Sequence, residues 1–496
     1  MSRIIIKNGL VYDGIAPQLF KADILIENDK IADISPQITA SEAEVLKADG
    51  RIVAPGFIDV HAHSEVRKLK YPENRTKILQ GVTTEVDGNC GTSACFSGFD
   101  NGEFQWQDFA GYLEVLNRIR SATNSVFMAG HNSLRKNVMG LKNSLPTSEE
   151  LLKMQKLLAA ALEAGAAGFS SGLTYFPGKF SDSAELQAIA SVMKGKEKVY
   201  ASHIRNEAGD ILAAVDEALA IARSGGGYFQ FSHLKTMFKP NWHLLDKVLE
   251  KIAEAQKDGL RVTADRYPYI YSATGLHQIL PPPFDKNNNI SAYLRESFRH
   301  QSEVEAALKH SPRDLASTIL AVYGKTLGEI AAEQNISVEK AAMQCLMENN
   351  TQAAAYLAMS PENLQKILAL PYVMPGTDGI SNQLDDATDF IHPRAAGTFP
   401  RFFRMVSQSC GIVETLRRMT VLPAQIFRIP YRGILKKGFF ADVVIFDADN
   451  FDSRAGYDGK EQTPTGMDKV LVNGKVAFDS AAPAVIGRYG RYLPIN

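Results

Sequence analysis

The sequence predicts an α/β protein: a TIM-like (β/α)8 barrel with a small β-sandwich domain built from both chain ends and an inserted helical lid. Three observations support this prediction. Segments of strand and helix character alternate through the middle of the 496-residue chain. Short β-type segments separated by turn residues occupy both ends. Histidine and aspartate residues stand at the carboxyl ends of several predicted strands, where such barrels collect their functional side chains.

The predicted domain boundaries follow these changes in pattern. Residues 1–54 and 431–496 form the composite β-sandwich domain, and residues 55–430 form the barrel. A proline-rich turn at 281–283 interrupts the alternation of strands and helices. The polar, helical segment at about 284–350 is therefore predicted to be an insertion that acts as a lid over the barrel.

The two ends carry the residue types of short strands and tight turns. Ile4–Ile6 and Val11–Tyr12 are predicted as strands joined by a turn at Asn8–Gly9, and Asn28–Asp29 predicts a second turn. Near the other end, Asn473–Gly474 lies at the centre of a predicted hairpin, because Asn-Gly between apolar runs is the strongest short hairpin signal.

Strand and helix signals alternate between these ends. Thr147 and Glu150 form a capping box at the start of a predicted helix. The elements predicted next are strand 166–171, helix 183–193, strand 199–203, helix 209–223, strand 228–233, helix 244–257 and strand 261–265. This order of strand followed by helix fits a closed barrel better than an open sheet.

Composition narrows the functional classes. Hydrophobic residues make up 45% of the chain and charged residues 22%, as in ordinary globular proteins, and the formal net charge is −1. Neither a nucleic-acid-binding surface nor a membrane span is indicated. The four cysteines do not form a disulfide framework in a chain of this length, and the N-terminus does not resemble a signal peptide, so we expect a cytoplasmic protein. The oligomeric state is left open.

Six residues at predicted strand ends are candidate metal ligands. His61 and His63 are two apart at the end of an apolar run, so their side chains point to the same face of a strand. The other four candidates are Cys90, His203, His233 and Asp378. Each one alone is more often a satisfied polar or small apolar side chain than a ligand. Together at one end of a barrel they predict a metal site, and mixed nitrogen, sulfur and oxygen ligands suit Zn²⁺ best.

Several motifs resemble those of the amidohydrolase superfamily and, within it, the D-aminoacylases, which are N-acyl-D-amino-acid deacylases. The motifs are PGFIDVHAH at 55–63, GNCG at 88–91, GFSSGLTY at 168–175, SHIRNE at 202–207, SHLK at 232–235, YPY at 267–269 and HPRAAGTFPR at 392–401. The resemblance covers nearly the whole chain. It implies a metal-dependent barrel enzyme that hydrolyses the amide bond of a small-molecule N-acyl-D-amino acid, releasing a carboxylate and a free D-amino acid.

The resemblance also implies how the metal is held. Hydantoinases and dihydroorotases use a carboxylated lysine to bridge two metals, but the corresponding strand here has FSS at 169–171. In D-aminoacylases a cysteine takes this role, and Cys90 matches it; a coordinated cysteine is deprotonated and negative. The implied tight site consists of Cys90, His203 and His233. The implied second, weaker site consists of His61, His63 and Asp378.

Roles in catalysis and substrate binding follow from side-chain chemistry. Asp378 is the predicted catalytic residue, as the base that accepts a proton from water and the acid that passes it to the departing nitrogen. The α-carboxylate needs charge-assisted hydrogen bonds. Its predicted ligands are Lys235, Tyr267 and Arg394. Arg205 and Glu207 are interpreted as a local ion pair outside the site.

Two alternatives remain open at this stage. A cyclic amidohydrolase of the hydantoinase or dihydroorotase type, or a dipeptidase, could use the same scaffold and ligands. A catalytically silent barrel that serves as an interaction scaffold belongs to a different class. The presence of all six candidate ligands argues against the scaffold, because an inactive barrel has no physical need for them.

Overall fold

Eight parallel strands in the described part of the chain form the central sheet. The computed structural model describes residues 2–96, 98–287, 289–311, 313–320, 322–382, 392–457 and 463–496. The strands are Phe57–Asp59 (β1), Val82–Asp87 (β2), Asn124–Gly130 (β3), Gly168–Gly172 (β4), Val199–His203 (β5), Tyr228–Phe231 (β6), Arg261–Asp265 (β7) and Val373–Met374 (β8). Each strand pairs in parallel with the next along the chain.

Hydrogen bonds between the two edges curl this sheet into a barrel. Just beyond β1, the His63 amide donates to the Gly379 carbonyl at 3.0 Å, and the Asp378 amide donates to the His61 carbonyl at 2.8 Å. Ala62 and Gly379 form a parallel bridge. The parallel, curled sheet agrees with the predicted barrel. Its closure also brings candidate ligands from the first and last strands side by side.

Helices follow the barrel strands. The longer ones are Phe109–Ile119, His131–Met139, Ser148–Glu163, Ser183–Ala190, Ile211–Ser224, Leu245–Lys257, Pro361–Leu368, Arg394–Cys410, Ile412–Met419 and Val421–Ile426. Thr147 and Glu150 form the predicted capping box, with each side chain accepting from the other's backbone amide. Such a cap stabilises a helix by about 1 kcal/mol. Apolar side chains of strands and helices, such as Phe127, Phe169 and Leu158, pack into one buried core.

Short elements complete the barrel. Two short helices are Arg67–Lys70 and Arg75–Ile78, and two short paired strands are Phe99–Asp100 and Gln105–Trp106. The 3₁₀ helices of the barrel are Gly178–Phe180, Ser191–Met193 and Lys239–Leu244; two more, Leu276–Ile279 and Phe284–Lys286, belong to the insertion described below. Over the residues described, we find no helix with both the length and the apolar character needed to cross a bilayer.

Both chain ends contribute strands to a second, eight-stranded sheet. Its order is Lys475–Asp479, Met467–Val472, Val443–Phe446, Ile52–Pro55, Arg3–Val11, Phe20–Glu27 and Lys30–Ser35, with Glu44–Lys47 paired to Arg3–Val11. Asn473 and Gly474 connect two adjacent antiparallel strands, as expected for the hairpin. The packing of these strands as a sandwich stays a prediction.

The structure corrects the prediction at Asn8–Gly9. Arg3–Val11 is one continuous strand, and its register with Phe20–Glu27 shifts between Ile6 and Gly9. Asn8 has a φ of 61°, and its amide donates to Asp23 Oδ1 at 3.0 Å. A bulge and a tight hairpin turn can both place a residue at positive φ, so the Asn-Gly pair alone does not separate them.

The insertion is a separate unit whose elements extend beyond the predicted segment. Its antiparallel strands are Tyr271–Gly275, Ala353–Leu357, Ile319–Leu320 and Lys325–Thr326, and its helices are Ile290–Glu296, Phe298–Leu308, Leu327–Gln334 and Val338–Glu348. Leu294, Leu346 and Tyr356 belong to its own apolar core. The unit leaves the barrel after β7 and returns before β8, so it departs from the rim that carries the candidate ligands.

Candidate active site

Four candidate ligands meet at the carboxyl ends of the barrel strands. Ligand atoms of His61, Cys90, His233 and Asp378 all lie within 4.8 Å of one another. His61 follows β1, Cys90 follows β2, His233 follows β6 and Asp378 follows β8. Residues distant in sequence converge because parallel strands of a barrel end at the same rim. We call these four residues the metal cluster.

Cys90 lies at the centre of this cluster. Its Sγ atom is 3.3 Å from His61 Nε2, 3.6 Å from His233 Nε2 and 3.9 Å from His203 Nδ1. His203 and His233 also form an overlapping group with Glu207. His63 lies towards the solvent, with Nε2 3.1 Å from Asp378 Oδ1 and a side chain that is 26% exposed. All six candidate ligands therefore lie in one neighbourhood.

Each of the three imidazoles around Cys90 has its other nitrogen beside a carboxylate. His61 Nδ1 is 3.0 Å from Asp265 Oδ1, and His233 Nδ1 is 3.1 Å from Glu207 Oε1. His203 Nε2 is 3.4 Å from Glu207 Oε2. At His61, where Asp265 accepts the Nδ1–H, the lone pair of Nε2 is left to face the sulfur, which is the arrangement of histidines that bind metals. His233 Nδ1 also lies 2.7 Å from Lys235 Nζ, and His203 Nε2 lies 3.1 Å from Thr174 Oγ1.

The charges of the cluster fit a divalent cation. Burial raises the pKa of the Cys90 thiol, but the charge of His61 and hydrogen bonds with His203 and His233 outweigh burial and hold it well below its usual value. Burial lowers the pKa of His61, but the charges of Asp265, Cys90 and Asp378 raise it well above its usual value. The Cys90 sulfur, as a thiolate, attracts positive charge to the cluster, and the cluster's nitrogen and sulfur donors suit Zn²⁺.

Three members of the metal cluster have left-handed backbone conformations. The φ angles are 50° at Cys90, 40° at His233 and 47° at Asp378. Such conformations cost about 1–3 kcal/mol each and persist where the surroundings impose them. For Cys90, Ser170 Oγ donates to the Gly88 carbonyl at 2.5 Å and ties the loop to β4. A side chain at Gly88 would lie 2.2 Å from the Met128 carbonyl, so only glycine fits there.

The structure corrects the interpretation of Arg205 and Glu207. Arg205 pairs instead with Glu217 of the helix Ile211–Ser224, at 2.8 and 2.9 Å. Glu207 faces the metal cluster, where it accepts from Lys235 Nζ at 2.6 Å in addition to its contacts with histidines. Closeness in sequence suggested a pair, but the chain beyond β5 directs these two side chains to different neighbours.

Asp265 is a site residue that sequence reasoning missed. It is the last residue of β7, and its Oδ1 atom also accepts from the His233 amide at 2.8 Å. Its Oδ2 atom accepts from Gln230 Nε2 at 3.0 Å. The available signal was its position, because a carboxylate at a strand end in a predicted barrel belongs with the histidines at other strand ends.

The predicted substrate-binding residues line a cavity of about 670 Å³ beside Asp378. Arg394 Nη1 is 2.7 Å from Asp378 Oδ2, and Lys235 is held by Glu207. The buried Tyr267 hydroxyl has no hydrogen-bond partner among the described residues. Burial raises the pKa of Tyr267, but the charges of Arg266, Arg394 and Lys235 outweigh burial and lower it. These side chains offer an anion several donors at one wall of the cavity.

Comparison with known proteins decides the family. A model of the amidohydrolase family matches residues 44–309. N-acyl-D-glutamate deacylase of Alcaligenes xylosoxydans xylosoxydans is 34% identical, over 99% of this chain and 96% of its own. The chain belongs to the amidohydrolase family. D-aminoacylase of the same organism is 30% identical to this amidohydrolase, over 97% of this chain and 95% of its own.

A solved structure supports the same family assignment. The crystal structure of N-acyl-D-glutamate deacylase from Bordetella bronchiseptica superposes with a TM-score of 0.83 at 33% identity, covering 99% of both chains. That protein is complexed with zinc and a phosphonate inhibitor that mimics the tetrahedral intermediate of the reaction. The predicted resemblance to D-aminoacylases is confirmed, and with it the assignment to amidohydrolases of linear amides.

The alternative of a cyclic amidohydrolase is less well supported. A D-hydantoinase from a Thermus species superposes on this amidohydrolase with a TM-score of 0.59 at 15% identity. At that identity the likeness concerns the fold alone. The deacylase relatives are about twice as similar in sequence over the same length of chain.

Proposed function

We propose that this amidohydrolase uses zinc to hydrolyse the amide bond of N-acyl-D-amino acids, releasing a carboxylate and a free D-amino acid. The observation that carries the proposal is the surroundings of Cys90, whose sulfur faces nitrogens of three histidines beside Asp378. The names of the relatives, N-acyl-D-glutamate deacylase and D-aminoacylase, support D-configured N-acyl amino acids as the substrate class.

In this proposal two sets of ligands hold the metal. Cys90, His203 and His233 bind one zinc ion tightly. His61, His63 and Asp378 form a second, weaker site. The overlap of the two ligand groups at His233 supports neighbouring sites. Bound zinc would supply an activated water and a polarised carbonyl at neutral pH.

Asp378 moves the proton in this reaction. Its Oδ1 atom lies 3.5 Å from His61 Nε2, and its Oδ2 atom contacts Arg394. Burial raises the pKa of Asp378, but the charges of Arg394, His233 and His61 hold it well below its usual value. The carboxylate is therefore ionised before the reaction, accepts a proton from the attacking water and returns it to the leaving nitrogen.

Lys235, Tyr267 and Arg394 bind the α-carboxylate. Arg394 offers further N–H donors beyond the one directed to Asp378, and the Tyr267 hydroxyl has no described partner to lose. The guanidinium of Arg394 lies 4.8 Å from the centre of the Tyr267 ring, so both can contact one anion. Charge-assisted hydrogen bonds of this kind are about twice as strong as neutral ones.

The insertion serves as the lid. Ser272, His277 and Arg313 belong to it and line the same cavity as Asp378. A wall contributed by a separate unit excludes water from the reacting groups and strengthens the charge interactions inside.

The proposal is tested by a substrate panel with zinc-loaded enzyme. N-acetyl amino acids in both enantiomers are compared with a hydantoin, dihydroorotate and a dipeptide. We expect hydrolysis of N-acetyl-D-amino acids only. Turnover of ring substrates alone would assign a cyclic amidohydrolase. Purified protein with no zinc, and with no activity after zinc is added, would assign a non-catalytic scaffold.

A further inference from the structure

The backbone of Asp378 has a conformation that depends on its surroundings. Its φ angle is 47°, in the left-handed region that is uncommon for residues other than glycine. Such a conformation persists where the surrounding structure imposes it. The groups that hold Thr377 and Gly379, the residues on either side, therefore decide the direction in which the Asp378 side chain leaves the backbone.

The Thr377 hydroxyl uses its full hydrogen-bonding capacity. It donates to Asp59 Oδ2 at 2.7 Å, while the His61 carbonyl is farther away at 3.3 Å. It accepts from the Gly379 amide at 3.2 Å and from Lys77 Nζ. One donor and two acceptor positions are all that a hydroxyl offers. Valine has a similar shape but none of these capacities, so this junction requires the hydroxyl.

Asp59 and Lys77 complete the same network. Asp59 Oδ1 accepts from the Thr377 amide at 3.0 Å and from the His61 amide at 3.2 Å, and Oδ2 also accepts from Lys77 Nζ at 2.7 Å. Lys77 Nζ donates in addition to the Gly379 carbonyl at 3.3 Å. All three side chains are fully buried, where a polar group that loses its partner is costly. We call Asp59, Lys77 and Thr377 the clamp.

The clamp joins the first and last strands of the barrel at the point where the candidate ligands emerge. Asp59 is the last residue of β1, two residues before His61, and Thr377 follows β8 directly before Asp378. The Asp378 amide donates to the His61 carbonyl, so the two ligand-bearing segments lie side by side. The clamp therefore fixes the backbone before and after Asp378, and it holds the His61 amide through Asp59.

We propose that the clamp is a positioning device for Asp378, with Thr377 as the positioning residue that connects its parts. The clamp directs the Asp378 carboxylate to the place where it exchanges a proton with water and shares the weaker metal site with His61. This inference rests on the proposed function. Proton transfer depends on distance, and a displacement of about 1 Å at a reacting group can slow a reaction by about 100-fold.

Thr377→Val tests the clamp with little change in shape. We expect kcat for an N-acetyl-D-amino acid to fall about 10- to 100-fold. KM should change little, because the described hydrogen bonds of the clamp include none with the three side chains assigned to the α-carboxylate. Thr377→Ser keeps the hydroxyl and should keep most of the wild-type kcat. Thr415→Val is the matched control, because Thr415 is equally buried and its hydroxyl donates to the Gly411 carbonyl at 2.8 Å. It should keep the wild-type kcat.

Two further measurements do not depend on turnover. In metal-free protein, hydrogen exchange of segment 373–382 should be faster in Thr377→Val than in wild type, while exchange of segment 199–207 stays unchanged, because the opening is local. In competition with a chelator, the affinity for the second equivalent of zinc should fall about 10- to 100-fold, and that for the first should stay unchanged. If Thr377→Val does not fold, Thr377→Ala removes the same hydroxyl with a smaller side chain and is measured in the same way.

Three results would overturn the inference. The first is a wild-type kcat together with unchanged affinity for the second zinc in Thr377→Val. The second is faster exchange in both segments with loss of the first zinc, because the clamp would then support the barrel as a whole. The third is a loss of kcat that is equally large in Thr377→Ser. If the wild-type enzyme hydrolyses no N-acyl-D-amino acid, the proposed function fails, but hydrogen exchange and zinc affinity still decide whether the clamp holds Asp378.

Discussion

Two buried charge clusters of this protein differ in how their charges are balanced. The inner cluster consists of Asp59, Lys68, Lys77, Glu85 and Asp87. Lys68 Nζ lies 2.6 Å from Asp87 Oδ2 and 3.2 Å from Glu85 Oε2, and Lys77 Nζ lies 2.7 Å from Asp59 Oδ2. Every carboxylate of this cluster therefore contacts a lysine of the same chain, and the cluster is complete without a ligand.

The metal cluster is almost as deeply buried but is balanced differently, because Asp378 pairs with Arg394 at 2.7 Å while the contacts described for Cys90 Sγ are with histidines. In place of a lysine, Cys90 Sγ has histidine nitrogens around it, and the opposite sides of those rings are already held by Asp265 and Glu207. Potential metal-binding atoms thus face one another. The comparison shows that buried charge alone does not identify a functional site; what identifies it is a set of donors and acceptors that the chain leaves uncompensated.

The largest expected effect is on the metal cluster itself. Cys90→Ala removes the central sulfur ligand, so bound zinc should be lost. Because removing a residue that only supports a metal ligand already costs up to about 100-fold, kcat/KM should fall by more than about 100-fold. Zinc analysis and steady-state kinetics check this. Cys95→Ala is the control, because Cys95 is also buried but its sulfur contacts the Met128 carbonyl. Full zinc and full activity in Cys90→Ala would refute the assigned role.

The matching change in the inner cluster should affect stability instead. Lys68→Met leaves Glu85 and Asp87 without their shared cation and should lower the free energy of unfolding by about 3–5 kcal/mol. Zinc content and kcat of the folded fraction should stay unchanged. Urea unfolding measures the loss, and Lys153→Met on an exposed helix position should cost less than about 0.5 kcal/mol. A selective loss of zinc in Lys68→Met would break the distinction between the clusters.

Lys235→Met tests the substrate side of the site. It removes a predicted donor to the α-carboxylate, so KM for an N-acyl-D-amino acid should rise about 10- to 150-fold while zinc stays bound. Lys179→Met, on the same cavity but outside the three side chains assigned to the α-carboxylate, should have a much smaller effect on KM. An unchanged KM in Lys235→Met would remove Lys235 from the carboxylate-binding set.

Asp265→Asn tests a residue that positions a ligand. The amide no longer offers His61 Nδ1 a charged acceptor, so zinc affinity should fall about 10- to 100-fold. Competition with a chelator measures the affinity directly. Asp87→Asn, in the inner cluster, should lower stability but leave zinc affinity of the folded protein unchanged. Equal zinc affinity in wild type and Asp265→Asn would show that this contact does not support the metal.

The inner cluster should make the free energy of unfolding decline gradually as the pH is lowered. Burial raises the pKa of Glu85, but the charges of Lys68 and Lys77 and hydroxyl donors lower it from 4.5 to about 2. A folded-state pKa below the unfolded value stabilises the protein above about pH 4.5, and this contribution is lost as the pH falls towards 2. The free energy of unfolding should therefore decline less steeply over that range in Glu85→Gln than in wild type. Identical slopes would contradict the assignment.

Much of the fold could be predicted from local patterns. Helix and strand periodicity, the Thr147 cap and the Asn473–Gly474 turn depend on residues close in sequence, and the structure has these elements near the predicted positions. Local patterns were insufficient where one dipeptide suits two geometries. Asn8–Gly9 supports a bulge within a strand because Asp23, on the neighbouring strand, accepts its amide hydrogen bond.

The candidate site divides in the same way. The ligand residue types stand out in the sequence because histidine, cysteine and aspartate at strand ends form a recognisable set. Glu207 and Asp265 acquire their roles only through the histidines they contact, which come from other strands. The sequence by itself determined which residues have metal-binding chemistry. Only the tertiary structure decided which carboxylates orient them, because such contacts depend on distances between segments far apart in the chain.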